Sequence, residues 1–241
     1  MIGKMLVEAV VPGVHRINLG VVNAYLLQGE DGLTLIDTGM AATRPLLLRA
    51  ITALGHRVGD VRRILVTHAH PDHTGALAAL KRASGARVYM HPDDAALVRQ
   101  GRSLRPGLRP PPRHVYSVVM PLAIWAIPRR IEAAETDQEV HDGDLLPIAG
   151  GMRVVGFPGH SAGQVGYLWQ RHGGVLFAGD PAANLLGRLD VAIVYEDYAQ
   201  GMRDLVTLGS LEYETACFGH GPPVVGGASA AMRRRWGPAG A

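Results

Sequence analysis

Short runs of Val, Leu and Ile, broken by glycine and aspartate, open the chain. Residues 14–18, 21–28 and 33–36 read as strands, with Gly20, Gly29, Asp31 and Gly32 as the breaks between them. Glu30-Asp31-Gly32 reads as a hairpin turn, because glycine supplies positive φ without steric cost. Residues 43–54 then read as a helix, with Thr43 as its cap, Pro45 in its first turn and Gly55 past its end. The same logic recurs in a buried strand at 63–66, a helix at 75–83, a strand at 87–90 and, after Pro92, a helix at 93–100. Strands alternating with helices predict an α/β layer architecture.

The rhythm stops at residues 101–130, which hold six prolines. This stretch reads as an insertion, part loop and part short apolar helix. Long irregular insertions in compact domains are often lids or binding loops; a dimer contact or a linker is the plainer reading. Strands resume at 144–148, 152–157, 165–170, 175–178 and 215–218, with helices at 197–208 and 228–236. Elements before residue 100 are echoed after residue 140, and no repeat has a solenoid period. Two similar α/β halves packed sheet to sheet are the simplest architecture.

Composition narrows the classes. Of 241 residues, 47% are apolar and 19% charged, which excludes a disordered or collagen-like chain. The lone Cys217 excludes an intramolecular disulfide framework and a four-Cys zinc site, and it suits a reducing, cytoplasmic location. Residues 1–11 hold an apolar patch interrupted by Glu8 with no convincing cleavage site, and read as mature protein rather than a signal peptide. The longest apolar stretch, residues 115–127, is shorter than the ~20 residues that span a bilayer, so stable membrane insertion is not expected. Charge is uneven. Without Arg99, Arg102, Arg105, Arg109 and Arg113, the formal charge of +3 becomes −2. A local basic loop, either simply solvated or steering an anionic substrate or headgroup, describes this better than a basic protein. Nucleic acid is not expected as a partner, because no aromatic residues interleave with these arginines.

Eleven histidines are present, and their placement carries the chemistry. Thr67-His68-Ala69-His70-Pro71-Asp72-His73-Thr74-Gly75 puts three imidazoles and one carboxylate within six residues, between a strand and a helix. His68 and His70 can converge on one ion, and Asp72 and His73 can reach a second beside it. Burying such a cluster is costly unless something pairs it, and a metal ion does so directly. Imidazole and carboxylate suit zinc, and also iron or manganese. His160, Asp180 and His220 each lie beside glycine at or just past the end of an apolar strand. Together these residues supply five His and two Asp, enough for two ions with open positions.

The segments His68-Ala69-His70-Pro71-Asp72-His73, Gly159-His160, Gly179-Asp180 and Gly219-His220 resemble, in the same order, the metallo-β-lactamase superfamily. Leu35-Ile36-Asp37-Thr38-Gly39 is similar to its early strand-end motif. The likeness is to the glyoxalase II and lactonase-like branch, without a C-terminal helical domain. It implies a four-layer αβ/βα sandwich formed by one domain over residues 1–241, with the insertion at about 101–130 as a candidate lid. It implies His68, His70 and His160 on the first ion, Asp72, His73 and His220 on the second, and Asp180 bridging both. Asp37 would orient the ligand loop, and Asp72 and Asp180 are the carboxylates of the catalytic centre. The cofactor implied is a pair of divalent ions, zinc first, with iron or manganese as alternatives; no organic cofactor is implied. The activity implied is hydrolysis, with a hydroxide shared by the ions attacking an ester, lactone or thioester carbonyl. Alternatives are a phosphodiesterase, a mononuclear iron persulfide dioxygenase and a metal-binding module without turnover. The expected partner is a small molecule with an acyl or other apolar part, and a homodimer is compatible with the apolar insertion.

Overall fold

Strand alternation decides which layers the chain builds. In β10 (Val165–Trp169), Val165, Tyr167 and Trp169 enter one core while Leu168 enters another. In β11 (Val175–Gly179), Val175 and Phe177 face the first, Leu176 and Ala178 the second. In β3 (Asn23–Gly29), Tyr25 and Leu27 join that same first core, while Ala24 and Leu26 enter a third. A period of two with both faces apolar marks a strand buried on both sides. Each strand therefore needs a sheet on one face and helices on the other.

The computed structural model describes residues 6–112, Val118 and residues 127–237. Its first sheet runs in chain order: β1 (Val7–Val11), β2 (Val14–Asn18), β3, β4 (Gly32–Ile36), β5 (Val61–Leu65), β6 (Arg87–Met90) and β7 (Gln138–Glu139). The pairings are antiparallel to β4 and parallel beyond it. The second sheet has the order β15 (Val224–Val225), β14 (Thr215–Phe218), β11, β10, β9 (Met152–Gly156), β8 (Leu145–Leu146). Here β11 and β14 are parallel and the other neighbours antiparallel. Helices α1 (Arg44–Ala53), α3 (Leu77–Ser84) and α4 (Pro92–Arg99) cover the first sheet through Leu47, Ile51, Leu77 and Val98. The one-turn α2 (Pro71–Thr74) precedes α3. Helices α5 (Tyr198–Ser210) and α6 (Ala228–Trp236) cover the second through Leu205, Leu208 and Met232. The result is the four-layer αβ/βα sandwich. No helix among the described residues is long and apolar enough to cross a membrane.

Several local expectations change. Residues 7–11 form an edge strand, because β2 offers them an antiparallel partner. The strand expected from residue 21 begins at Asn23, since Leu19 N–H closes a turn onto the Val22 carbonyl at 2.9 Å. Thr43 does not cap α1; its hydroxyl donates to the Met40 carbonyl at 3.0 Å. The strand expected at 144–148 shrinks to two residues. A hairpin of β12 (Ala182–Leu185) and β13 (Arg188–Val191) lies where none was expected. Of the insertion, residues 113–117 and 119–126 lie outside the described residues, and with them most of the expected apolar helix. Arg102 and Arg130 pair as an antiparallel bridge that closes its base.

Cys217 sits in the core between the sheets, 1% exposed, and burial pushes its thiol well above the usual range. The folded protein is therefore expected to resist alkylation by iodoacetamide at pH 8 and to label fully in denaturant, as read by mass spectrometry. Rapid labelling of the native chain would contradict this placement.

Candidate metal centre

The site lies where β4 and β5 of the first sheet and β9, β11 and β14 of the second end. The two edges are pinned there by hydrogen bonds across the sheets. Val165 N–H donates to the Thr67 carbonyl at 2.9 Å and Asn23 N–H to the Gly219 carbonyl at 2.8 Å. The Tyr167 hydroxyl donates to the Val66 carbonyl at 2.8 Å. His68 to His73 follow β5, His160 follows β9, Asp180 follows β11 and His220 follows β14. Side chains up to 152 residues apart in sequence thus share one edge.

All seven side chains expected at the site lie there. Among the described residues, three groups have one donor atom per residue within 4.8 Å of each other: His68, His70 and His160; His68, His73 and Asp180; and Asp72, His73 and His220. His160 Nε2 is 2.9 Å from His70 Nδ1. Asp180 Oδ2 lies 2.9 Å from His220 Nε2, 3.4 Å from His73 Nε2 and 3.7 Å from His160 Nε2. Asp72 Oδ2 lies 3.4 Å from His220 Nε2 and 3.7 Å from His73 Nε2. Asp180 is thus within reach of imidazoles from all three groups. Glycine makes room for it: a Cβ on Gly219 would collide with Asp180 Oδ1 and the His73 ring.

Outer hydrogen bonds aim the rings. His73 Nδ1 donates to Asp37 Oδ2 at 2.8 Å, His160 Nδ1 to the Val194 carbonyl at 2.8 Å and His220 Nδ1 to the Val21 carbonyl at 2.6 Å. Each bond sets the tautomer and leaves Nε2 facing the cluster, the usual arrangement for a ligating imidazole. His68 Nδ1 lies 3.1 Å from Thr67 Oγ1. Asp37 also accepts from Thr67 N–H and the Thr67 hydroxyl, both at 2.8 Å, so one carboxylate braces the start of the ligand loop.

The residues fit a metal. Among the described residues, His68 Nε2, His73 Nε2 and Asp180 Oδ1 are buried without a hydrogen-bond partner. Unpaired buried polar atoms are costly, and a cation removes that cost. The donor set of nitrogen and carboxylate oxygen suits zinc and neighbouring divalent ions. Burial and the neighbouring imidazoles hold His68 and His70 well below the usual range, so they are neutral, as a ligand must be. For His220, burial lowers the pKa, but Asp180 and Asp72 outweigh it and raise it to about 9. His73 is raised likewise, against burial, by Asp180, Asp37 and Asp72. Burial pushes Asp180 up, but His220 and His73 outweigh it and hold the carboxyl well below its usual range. An arriving cation takes the place of those imidazolium protons.

Three features of this region were not foreseen. Asp94 is fully buried and accepts Ala69 N–H at 2.8 Å, between two expected ligands. Arg105 is part of its network. The β12–β13 hairpin contributes to a hollow of about 290 Å3 beside Asp180 and His220, with apolar walls from Val21, Ala182, Ala183, Leu185, Ala192 and Ile193. A signal for the hairpin was present: Leu186 and Gly187 both take positive φ, and Gly187 could have marked the turn. His91 stays outside, capping α4 by accepting Asp93 N–H at 3.3 Å.

Fold and site together define a metal-binding protein of the four-layer αβ/βα class. The sequence profile of the metallo-beta-lactamase superfamily matches residues 17–220, and the chain belongs to that superfamily. It is similar to the uncharacterized protein YobT of Bacillus subtilis, with 30% identity over 172 residues, 71% of this chain and 66% of that one. The probable metallo-hydrolase YflN of the same organism is 25% identical over 232 residues, covering 89% and 86% of the two chains. The chain spans just under two thirds of the length of YobT. Among solved structures, BJP-1, a subclass B3 metallo-beta-lactamase of Bradyrhizobium japonicum, superposes with a TM-score of 0.70. That likeness covers 96% of this chain and 90% of BJP-1 at 20% identity, and it concerns the fold.

Proposed function

We propose that this protein is a dinuclear metal-dependent hydrolase acting on an ester, lactone or thioester with an apolar part. One observation carries the dinuclear reading: the three donor groups share His68 and His73, so two sites adjoin, and Asp180 sits between them. His68, His70 and His160 would hold one ion and Asp72, His73 and His220 the other, with Asp180 reaching both. Bound there, divalent ions supply a water of lowered pKa and polarise a carbonyl oxygen. The chain's own part is to hold the imidazoles in one tautomer through Asp37, Val194 O and Val21 O, and to exclude water with the hairpin wall. The apolar hollow at Asp180 and His220 favours an acyl or alkyl group beside the reacting carbonyl. The insertion at about 101–130 would act as a lid over this single catalytic domain. Its described stem supports that role, because Arg109 and Tyr195 exchange backbone hydrogen bonds of 2.9 and 2.7 Å next to the His160 partner Val194.

The test pairs metal analysis with a panel of esters, lactones, thioesters and phosphodiesters. Two divalent ions per chain with carbonyl hydrolysis support the proposal; one iron with oxygen uptake, or silence across the panel, overturns it. Within the hollow, Leu185→Asp is expected to lower kcat/KM for long-chain substrates about 10-fold relative to acetyl analogues, the scale of an apolar pocket contact. Metal content should not change. An unaltered chain-length preference would remove the hollow from the substrate path.

A further inference from the structure

We propose that Arg105, on the stem of the insertion, is a positioning residue that clamps together the two loops carrying His68, His70 and His160. This rests on reading that group as a metal site. Asp94 is the centre of the clamp. Its carboxylate accepts Ala69 N–H at 2.8 Å, the Ser161 hydroxyl at 2.8 Å and Gly163 N–H at 3.2 Å. Ala69 lies between His68 and His70, and Ser161 follows His160, so one buried carboxylate fastens both loops.

A fully buried carboxylate needs a cation, and breaking such a pair on one side leaves an uncompensated charge. Arg105 supplies it, with Nη1 at 2.7 Å from Asp94 Oδ1. The same nitrogen lies 3.1 Å from Glu196 Oε2 and 3.1 Å from Ser161 Oγ, and Nη2 donates to the Asp93 carbonyl at 2.6 Å. Glu196 in turn accepts Ala162 N–H at 2.9 Å, a second hold on the His160 loop. Arg105 is therefore the shared counter-ion of two carboxylates that together grip residues 69, 161, 162 and 163. The second group is held otherwise: Asp37 braces His73 and the Val21 carbonyl braces His220. The clamp thus acts on one ion site and not on its neighbour, and it couples the seating of the insertion to that site.

Cobalt(II) titration of the metal-free protein, followed by its visible spectrum and by stoichiometry, tests this. Arg105→Ala is expected to weaken one of the two equivalents by 10-fold or more, the scale of an outer partner of a ligand, and to leave the other unchanged. Arg105→Lys should recover part of the loss, since an ammonium keeps the charge but cannot also supply the second nitrogen's bond to the Asp93 carbonyl. Arg99→Ala, which removes an exposed pair with Glu135, serves as the control and should bind as wild type. If Arg105→Ala loses its near-UV circular dichroism, Arg105→Lys and Ser161→Ala carry the comparison, and the same selective weakening supports the clamp. Wild-type constants in the folded variants, or equal weakening of both equivalents, would overturn it. A wild-type chain that takes up no cobalt defeats the metal reading itself, and the clamp with it.

Discussion

Replacing His68 with alanine is expected to remove one of the two ions and, with it, turnover. His68 belongs to two of the three donor groups, is fully buried, and presents an unpartnered Nε2 to the cluster. Its loss takes one of the three imidazoles from the group of His68, His70 and His160 and leaves Asp72, His73 and His220 intact, so the ion assigned to the first group is the one expected to go. The effect should exceed the ~10–100-fold expected for an outer partner of a ligand. Elemental analysis of the purified variant, beside its rate on the best substrate of the panel, provides the check. A variant with full metal content and full rate would reject the ligand assignment.

The second large effect is expected at Asp37. This residue is 3% exposed and takes φ of 58°, a left-handed conformation that asparagine tolerates and alanine resists. Asp37→Asn therefore keeps the backbone and the volume. It removes one of two acceptor oxygens that serve Thr67 N–H, the Thr67 hydroxyl and His73 Nδ1. Zinc affinity measured by calorimetry should fall about 10–100-fold. Asp37→Ala should fall further and lose thermal stability as well, since left-handed strain of ~1–2 kcal/mol adds to the lost acceptor. Wild-type zinc affinity in Asp37→Asn would show that His73 needs no carboxylate behind it.

Much of this was legible along the chain because it is local. Strand β6 and helix α6 keep the bounds that their apolar runs and flanking glycines indicate, and β14 likewise. Helix α4 begins one residue early, at Pro92, where the missing N–H costs nothing. Edges were less legible. A strand such as β1 is stabilised by its partner as well as by its own composition, and Glu8 interrupts its run of valines. The ligand side chains stood out because imidazoles and carboxylates at strand ends beside glycine are costly to bury for structural reasons alone.

The layers and the chemical repertoire are legible along the chain. Strands alternating with helices in two echoed halves indicate α/β layers, and five histidines with two aspartates at strand ends specify nitrogen and oxygen donors. Which loops meet, and what holds them, follows from packing between distant segments. Asp94 in the first turn of a helix reads as an ordinary favourable helix start. Arg105 in a proline-rich stretch reads as solvated charge. Their pairing, the Val194 and Val21 carbonyls behind His160 and His220, and the hairpin wall of the hollow all depend on residues distant in sequence. Burial and hydrogen bonding between such residues arise from packing, which local composition does not encode.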